Sequence, residues 1–235
     1  MVKIYDFLYL SYIGYCKKYQ LAIDTVTDFN QKVDEIQREA ITILGNHYQQ
    51  SEKVRSLVTP WVRRIYDTTD QNGQLLQPSR VGVEEETTEE FYRLIGMGVT
   101  DGNGGLLYNI DPIMENELML TMRIPQRQPN LAKQRAYYLP YDDVIQLYPQ
   151  QEIPYILFYL IYPTTAILAF TYQEVDGEYV QVYDPVNSVD LYWDKSASNL
   201  LLYMLLEKYG VSSRDDILNE FGKFGVQLSL EAQQQ

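Results

Sequence analysis

Two residues, His47 and Cys16, are the only imidazole and the only thiol of the chain, so any Ser-His-Asp or Cys-His mechanism must run through them. His47 lies late in a strongly periodic segment beside Tyr48, and no nucleophile motif surrounds any serine or Cys16. It reads as an ordinary polar position on a helix. A structural zinc site usually takes four Cys or His ligands, which this chain does not have. A single cysteine also excludes an internal disulfide, which fits maturation in a reducing cytoplasm.

Three other patterns echo known chemistry. The glycines of GMGVTDGNGG follow neither G-x-G-x-x-G nor G-x-x-x-x-G-K-[ST], and no lysine follows to meet a phosphate, so they read as a loop. Asp101, Asn103 and Gly105 repeat the start of a calcium loop, but its twelfth position, where a bidentate Glu belongs, is Pro112. Adjacent acids at 84–86, Asp142 with Asp143 and Asp215 with Asp216 offer acid–base or magnesium chemistry. Nothing converges on them, and they read as solvated faces. The sequence therefore predicts no catalytic residue, no metal site and no cofactor.

Charge directs attention to surfaces instead. Nineteen basic residues against 32 acidic ones leave a formal charge of −13, and the resulting field disfavours free nucleic acid or an anionic membrane as the main partner. Basic residues still cluster at Arg63 and Arg64 and along Arg123, Arg127, Lys133 and Arg135. Their expected use is charge complementarity between subunits. Together with Trp61 and Trp193, chosen by residue type and each also readable as a core ring, they form the candidate subunit interface. Twenty-two tyrosines suit surfaces that are half wet and half buried, although a simple preference for tyrosine in strands and helices explains them equally well.

The scaffold behind these surfaces is large enough to bury roughly 70% of the area its unfolded chain exposes. Helical spacing predicts a helix over 3–19, weakened at Gly14. A second helix, capped by Thr27 or Asp28, carries Phe29, Val33, Ile36, Ala40, Ile43 and Leu44 on one stripe. A short helix then breaks at Pro60 into a strand with Trp61, Val62, Ile65 and Tyr66, which runs toward a turn at Asn72-Gly73. ELMLTMRI reads as a strand, and PQRQPNLAKQRA as an exposed basic contact arm. The run PYILFYLIYPTTAILAFTYQEVDGEYVQVYDP predicts a meander of about three strands, punctuated by Pro163 and by a hairpin turn at Asp176-Gly177. Asp194 or Ser196 caps a helix ending at Gly210, and Ser212 or Ser213 a shorter one through DDILNEF.

These elements predict an α+β class, with N-terminal and C-terminal helices around a central antiparallel β-meander. One domain is expected over 1–235, with a helical part at about 1–60 and exposed loops near 68–90 and 123–136. The aromatic start IYDFLYLSYIGYC is interrupted by Asp6 and closed by Lys17 and Lys18, unlike a signal peptide, and is too short to span a bilayer. A soluble protein made in the cytoplasm is expected.

Three blocks in order carry a resemblance: TDFNQKVDEIQREAITILGNHYQQSEKVRSLVTPWVRR, then PYDDVIQLYPQQEIPYILFYLIYPTTAILAFTY, then VDLYWDKSASNLLLYMLLEKYGVSSRDD. Together they resemble the head-to-tail connector, or neck ring, proteins of crAss-like tailed phages. The stretch before Thr27 and the acidic and glycine-rich segment at 84–105 depart from that pattern. The resemblance implies a non-enzymatic virion protein of the phage neck, made in the host cytoplasm and located at the portal vertex. Its partners would be copies of itself in a ring such as a dodecamer, the portal protein, and other neck or tail proteins. DNA would pass through the channel without specific binding, and no membrane would be involved. A soluble, non-enzymatic oligomeric binding or regulatory module is the alternative. An enzyme built from carboxylates and tyrosines, such as a glycan hydrolase, is a third class, but no pair of acids stands out for it.

Overall fold

The computed structural model describes residues 2–18, 23–48, 51–76, 90–101, 103, 105–141, 144–213, 223–227, 229 and 231. The chain has an α+β fold and divides into two compact units, one formed by 1–60 with 162–235 and the other by 61–161. The expectation of one domain over 1–235 does not anticipate this division, although its helical part ends where the first segment of the first unit ends.

In the first unit, a stretch of π-helix over Ile4–Tyr9 leads into α1, Leu10–Lys18, in line with the helix expected there. α2 spans Val26–Asn46, so it starts ahead of the expected caps. Thr25 takes that role. Its Oγ1 accepts from the Asp28 N–H at 3.2 Å and donates to the Asp28 carboxylate at 2.6 Å. One otherwise unpaired donor is thereby satisfied, and a negative charge meets the positive end of the helix. The buried stripe is Phe29, Val33, Ile36, Ala40 and Leu44, with Ile41 in place of Ile43. α3 covers Glu52–Val58 and passes into the 3-10 turn Thr59–Trp61 at Pro60.

Toward the C-terminus, Asp194 caps a short turn by accepting from the Ser196 N–H at 2.8 Å. α5, Ser198–Ser213, is apolar on nearly every side. Such a helix belongs in an interior, and Leu200, Leu201, Leu205 and Leu206 are buried. It continues through Gly210, where an end was expected. Packing on α1 and α2 outweighs the roughly 1 kcal/mol that a glycine costs a helix. The further helix expected through DDILNEF lies outside the described residues.

The second unit is a seven-stranded mixed sheet. Its strands are β1 (Val62–Thr68), β2 (Gln74–Leu76), β3 (Phe91–Thr100), β4 (Leu106–Pro112), β5 (Tyr137–Pro140), β6 (Val144–Tyr148) and β7 (Pro154–Ile161), in the order β1-β7-β3-β4-β5-β6-β2. Every neighbouring pair is antiparallel except β4 with β5, where Asp111 faces Tyr137. Parallel neighbours need a crossover, usually through a helix. Residues 113–136 supply it, beginning with α4, Glu115–Arg123. ELMLTMRI, expected as a strand, is therefore mostly helix. Glu, Leu and Met are strong helix formers, and the Glu117 carboxylate accepts from the Met114 N–H at 3.3 Å at the start of the first turn.

Strands β1 and β2 stand at opposite ends of this order, yet only residues 69–73 join them. Seven strands laid flat would span about 29 Å at a spacing near 4.8 Å, while that connection reaches only roughly 20 Å. The sheet must curl, and it forms a half-barrel. The turn at Asn72-Gly73 exists, with the Gly73 N–H donating to Asp70 O at 3.0 Å. It joins no hairpin, because β1 pairs with β7 and β2 with β6. Leu75, Met97, Ile145, Leu147 and Leu157 are buried in the core of this unit.

The expected central meander is split between the units. Its first run is β7 of the second unit. Its middle run forms no strand, only a bridge between Ile167 and Val189. The remainder is the hairpin β8 (Phe170–Val175) and β9 (Glu178–Tyr183) of the first unit. Its turn is the expected one, with Asp176 at φ 54° and Gly177 at φ 86°, the left-handed pair of a tight hairpin.

Candidate subunit-docking surfaces

The two tryptophans are not surface residues. Trp61 is 2% exposed and Trp193 1%, so neither side chain is available to a neighbouring subunit, and both leave the candidate interface. Large rings gain most from burial. Trp193 also uses its polar handle inside, donating Nε1–H to Gln37 Oε1 at 3.2 Å.

Arg63 and Arg64 lie on β1 opposite Tyr159 and Phe158 of β7. Arg63 is half-buried and bonds the carbonyl of Val62 at 3.3 Å, whereas Arg64 is exposed and stacks over the Phe158 ring at 5.6 Å. Successive residues of a strand face opposite ways, so these two arginines do not act as one patch.

The other basic residues belong to the crossover. Arg123 ends α4, while Arg127 and Lys133 are exposed and Arg135 half-exposed on the loop that follows. The loop is built rather than slack. Asn130 bridges to Arg135, Asn130 Oδ1 accepts from the Lys133 N–H at 3.1 Å, and the Tyr137 hydroxyl donates to Arg127 O at 3.1 Å. Residues 123–135 contain four basic side chains and no acid. Among the described residues, none of the four forms an ion pair.

Beside them lies an apolar face that sequence reading missed. α4 turns Leu118 and Thr121 inward, Leu118 against Ile113 and Leu139, as a crossover helix should. Its outer side is also apolar, with Met119 62% and Leu120 60% exposed and Met114, Met122 and Ile124 exposed around them. Residues three and four apart on a helix are neighbours, which sets Arg123 beside both Leu120 and Met119. The available signal was LMLTM itself, because apolar residues at 118, 119, 120 and 122 fill more than one face of a helix.

The hairpin β8–β9 forms a second uncovered surface. Its root is fixed by rings: Tyr5 stacks on Tyr183 at 4.1 Å, and Tyr5 and Tyr9 meet Phe170 at 6.1 and 5.5 Å. Hydrogen bonds add to this, with the Ala169 N–H donating to the Ser188 side-chain Oγ at 2.9 Å and the Asp184 N–H to Ala169 O at 2.9 Å. Asp184 organises the following turn by accepting from the backbone of Val186 and Asn187 and from the Asn187 side chain. Those bonds, chiefly the Asn187 amide, hold its carboxyl below the ordinary 3.8.

Beyond the root, every residue from 171 to 181 is exposed. The register puts Tyr172, Glu174 and Tyr179 on one face and Val175, Glu178 and Val180 on the other. Tyr172 is 71% and Tyr179 75% exposed, and the tip carries Glu174, Asp176 and Glu178 with no basic residue between 170 and 183. Carboxylates on both faces of the hairpin, Glu174 on one and Glu178 on the other, are the sequence signal that this arm lies outside any core.

The residues read for chemistry are dispersed in structural roles. Cys16 is buried in α1, and burial pushes its thiol up, against an opposing hydrogen bond with Tyr12. A protonated thiol is a poor nucleophile. His47 forms the C-terminal cap of α2. Asp101 Oδ1 accepts from the N–H groups of Asn103 and Gly105 at 2.8 and 2.9 Å, so its carboxylate closes the β3–β4 loop. The acids at 84–86, 142–143 and 215–216 lie outside the described residues. Among the described residues, no group of three or more His, Cys, Asp or Glu is arranged to hold a metal ion, and no helix is long and apolar enough to cross a membrane. Neither models of protein families nor curated proteins match this sequence.

Proposed function

We propose that this protein is a structural, non-enzymatic subunit of an oligomeric ring in the neck of a tailed phage, linking portal and capsid to the tail around the DNA channel. The observation that carries this reading is the presence of two chemically unlike uncovered surfaces. The hairpin of the first unit is tyrosine-rich and acidic, and the crossover of the second is methionine-rich and basic. A closed ring is made from heterologous contacts, in which each copy offers two different complementary surfaces. Methionine and tyrosine are enriched at such contacts. The resemblance of three sequence blocks to neck ring proteins supplies the location. A formal charge of −13 suits a channel wall that DNA must slide past, since repulsion removes the counterion release that binds phosphate to basic proteins.

The test is cryo-electron microscopy of the particle that contains this chain. The expected result is a closed ring of this protein at the portal vertex in fixed stoichiometry. Its absence from purified particles would overturn the neck assignment and leave a soluble oligomeric module.

A further inference from the structure

We infer that the acidic hairpin β8–β9 of one copy docks on the apolar and basic crossover of a second copy, the outer side of α4 with the loop to Arg135, and so forms the head-to-tail contact of the assembly. The inference deepens the ring reading and rests on it for the biological setting, but its geometry can be tested separately.

Charge complementarity selects the occupant. The hairpin tip places three carboxylates within residues 174–178, while the crossover places Arg123, Arg127, Lys133 and Arg135 within thirteen residues that hold no acid, its two acids, Glu115 and Glu117, standing at the opposite end of α4. Opposite potentials of this kind fix register and suppress wrong partners. Like would repel like, so hairpin against hairpin and crossover against crossover are both disfavoured. Apolar chemistry matches as well: Tyr172 and Tyr179 offer rigid rings, and Met119 and Met122 offer flexible thioethers that fit irregular partners and favour contact with aromatic edges. The two tyrosines alone can cover roughly 300 Å², a substantial part of the ~800 Å² that each side of a standard interface buries. The hairpin root is held by Tyr5, Tyr9 and Ser188, which pre-orders the arm and lowers the entropy cost of docking.

The experiment uses the full chain. Two charge reversals are made, E174K/D176K/E178K on the hairpin and R123E/R127E/K133E on the crossover, together with a chain that carries both. Self-association is read by sedimentation and native mass spectrometry at low salt. Each single set is expected to weaken association at least tenfold. The chain carrying both sets, and an equimolar mixture of the two singly reversed chains, should recover it. A carbodiimide cross-link between Glu174 or Glu178 and Lys133 should form between isotopically light and heavy copies of the unaltered chain.

Association that survives each single reversal, or is not restored by combining the two, would overturn the inference. So would a chain that stays monomeric and gives no mixed-isotope cross-link. Loss on hairpin reversal with no loss on crossover reversal would place the hairpin's partner on another surface of the second copy and would also overturn it. A ring seen at the portal vertex but joined by other surfaces sinks this contact and spares the neck reading; head-to-tail association by a protein absent from particles does the reverse.

Discussion

The side-chain amide of Asn30 holds the backbone of Leu168 on both of its polar groups, donating Nδ2–H to the carbonyl at 3.0 Å and accepting the N–H on Oδ1 at 2.9 Å. A side chain on α2 thus imitates a strand partner for the segment that leads into the exposed hairpin. Replacing Asn30 with Asp keeps the acceptor, removes the donor and adds a charge beside a carbonyl. Asn30→Asp should lower the stability of the first unit by about 1–3 kcal/mol. Trp193 is buried in that unit, so its fluorescence in a Trp61→Phe background during urea unfolding measures the change.

Gln146 plays the corresponding part in the second unit. Its buried amide donates to Asn72 O at 2.8 Å and to Leu147 O at 3.1 Å, and its Oε1 accepts from Gln74 at 3.0 Å. Gln146→Leu keeps the volume but strands these groups. A loss of about 2–3 kcal/mol is expected, read through Trp61 in a Trp193→Phe background.

Gly73 adopts φ +72°, and a Cβ there would stand 2.9 Å from the carbonyl oxygen of Leu147. Left-handed backbone costs an L-residue about 1–2 kcal/mol before any clash, and the crowding atom is main chain. Gly73→Ala should therefore destabilise the second unit by more than 1 kcal/mol in the same unfolding assay. Gly177, also left-handed but with open space around it, should show the conformational cost alone.

Asp184 ties the hairpin root to pH. Its folded carboxyl titrates below 3.8, so its contribution is fully present above that value and is lost as pH falls through the depressed folded value. Acidification below about pH 4 should loosen the turn at 184–188. Amide exchange at Val186 and Asn187 between pH 6 and 3 would register this, and Asp184→Asn should flatten the profile.

Tyr172 and Tyr179 touch solvent over most of their surface. Replacing both with Ser should change folding stability by less than about 0.5 kcal/mol per site, as for other surface positions, while weakening self-association. Calorimetry paired with sedimentation separates the two effects. A matching loss of stability would mean that the rings support the fold.

Local signals in the sequence were read well where one physical preference dominates. The α2 stripe, the Pro60 break and the Asp176-Gly177 turn each rest on a single strong rule, of periodicity, ring closure or left-handed backbone. Pairing was not legible, because partners are chosen by the whole sheet. Nothing in VTPWVRRIYD says that its partner is β7 across ninety or so residues rather than β2 just beyond the turn. ELMLTMRI misled because apolar residues on more than one face of a helix resemble a strand. The basic loop at 123–136 is legible from its composition, but the exposed apolar side of the helix beside it is not. The tryptophans belong to the core, the other reading that their type allowed, because residue type alone does not separate a buried ring from a docking ring.

The second unit enters through β1 and leaves through β7, and these two strands are antiparallel neighbours with Val62 facing Leu160. An insertion whose ends are paired in this way closes on itself, whatever surrounds it in the sequence. During synthesis, 61–161 can finish folding while residues 1–60 still wait for 162–235 to leave the ribosome. Until α5 emerges, the apolar stripe of α2 then lacks one of the helices that pack on it.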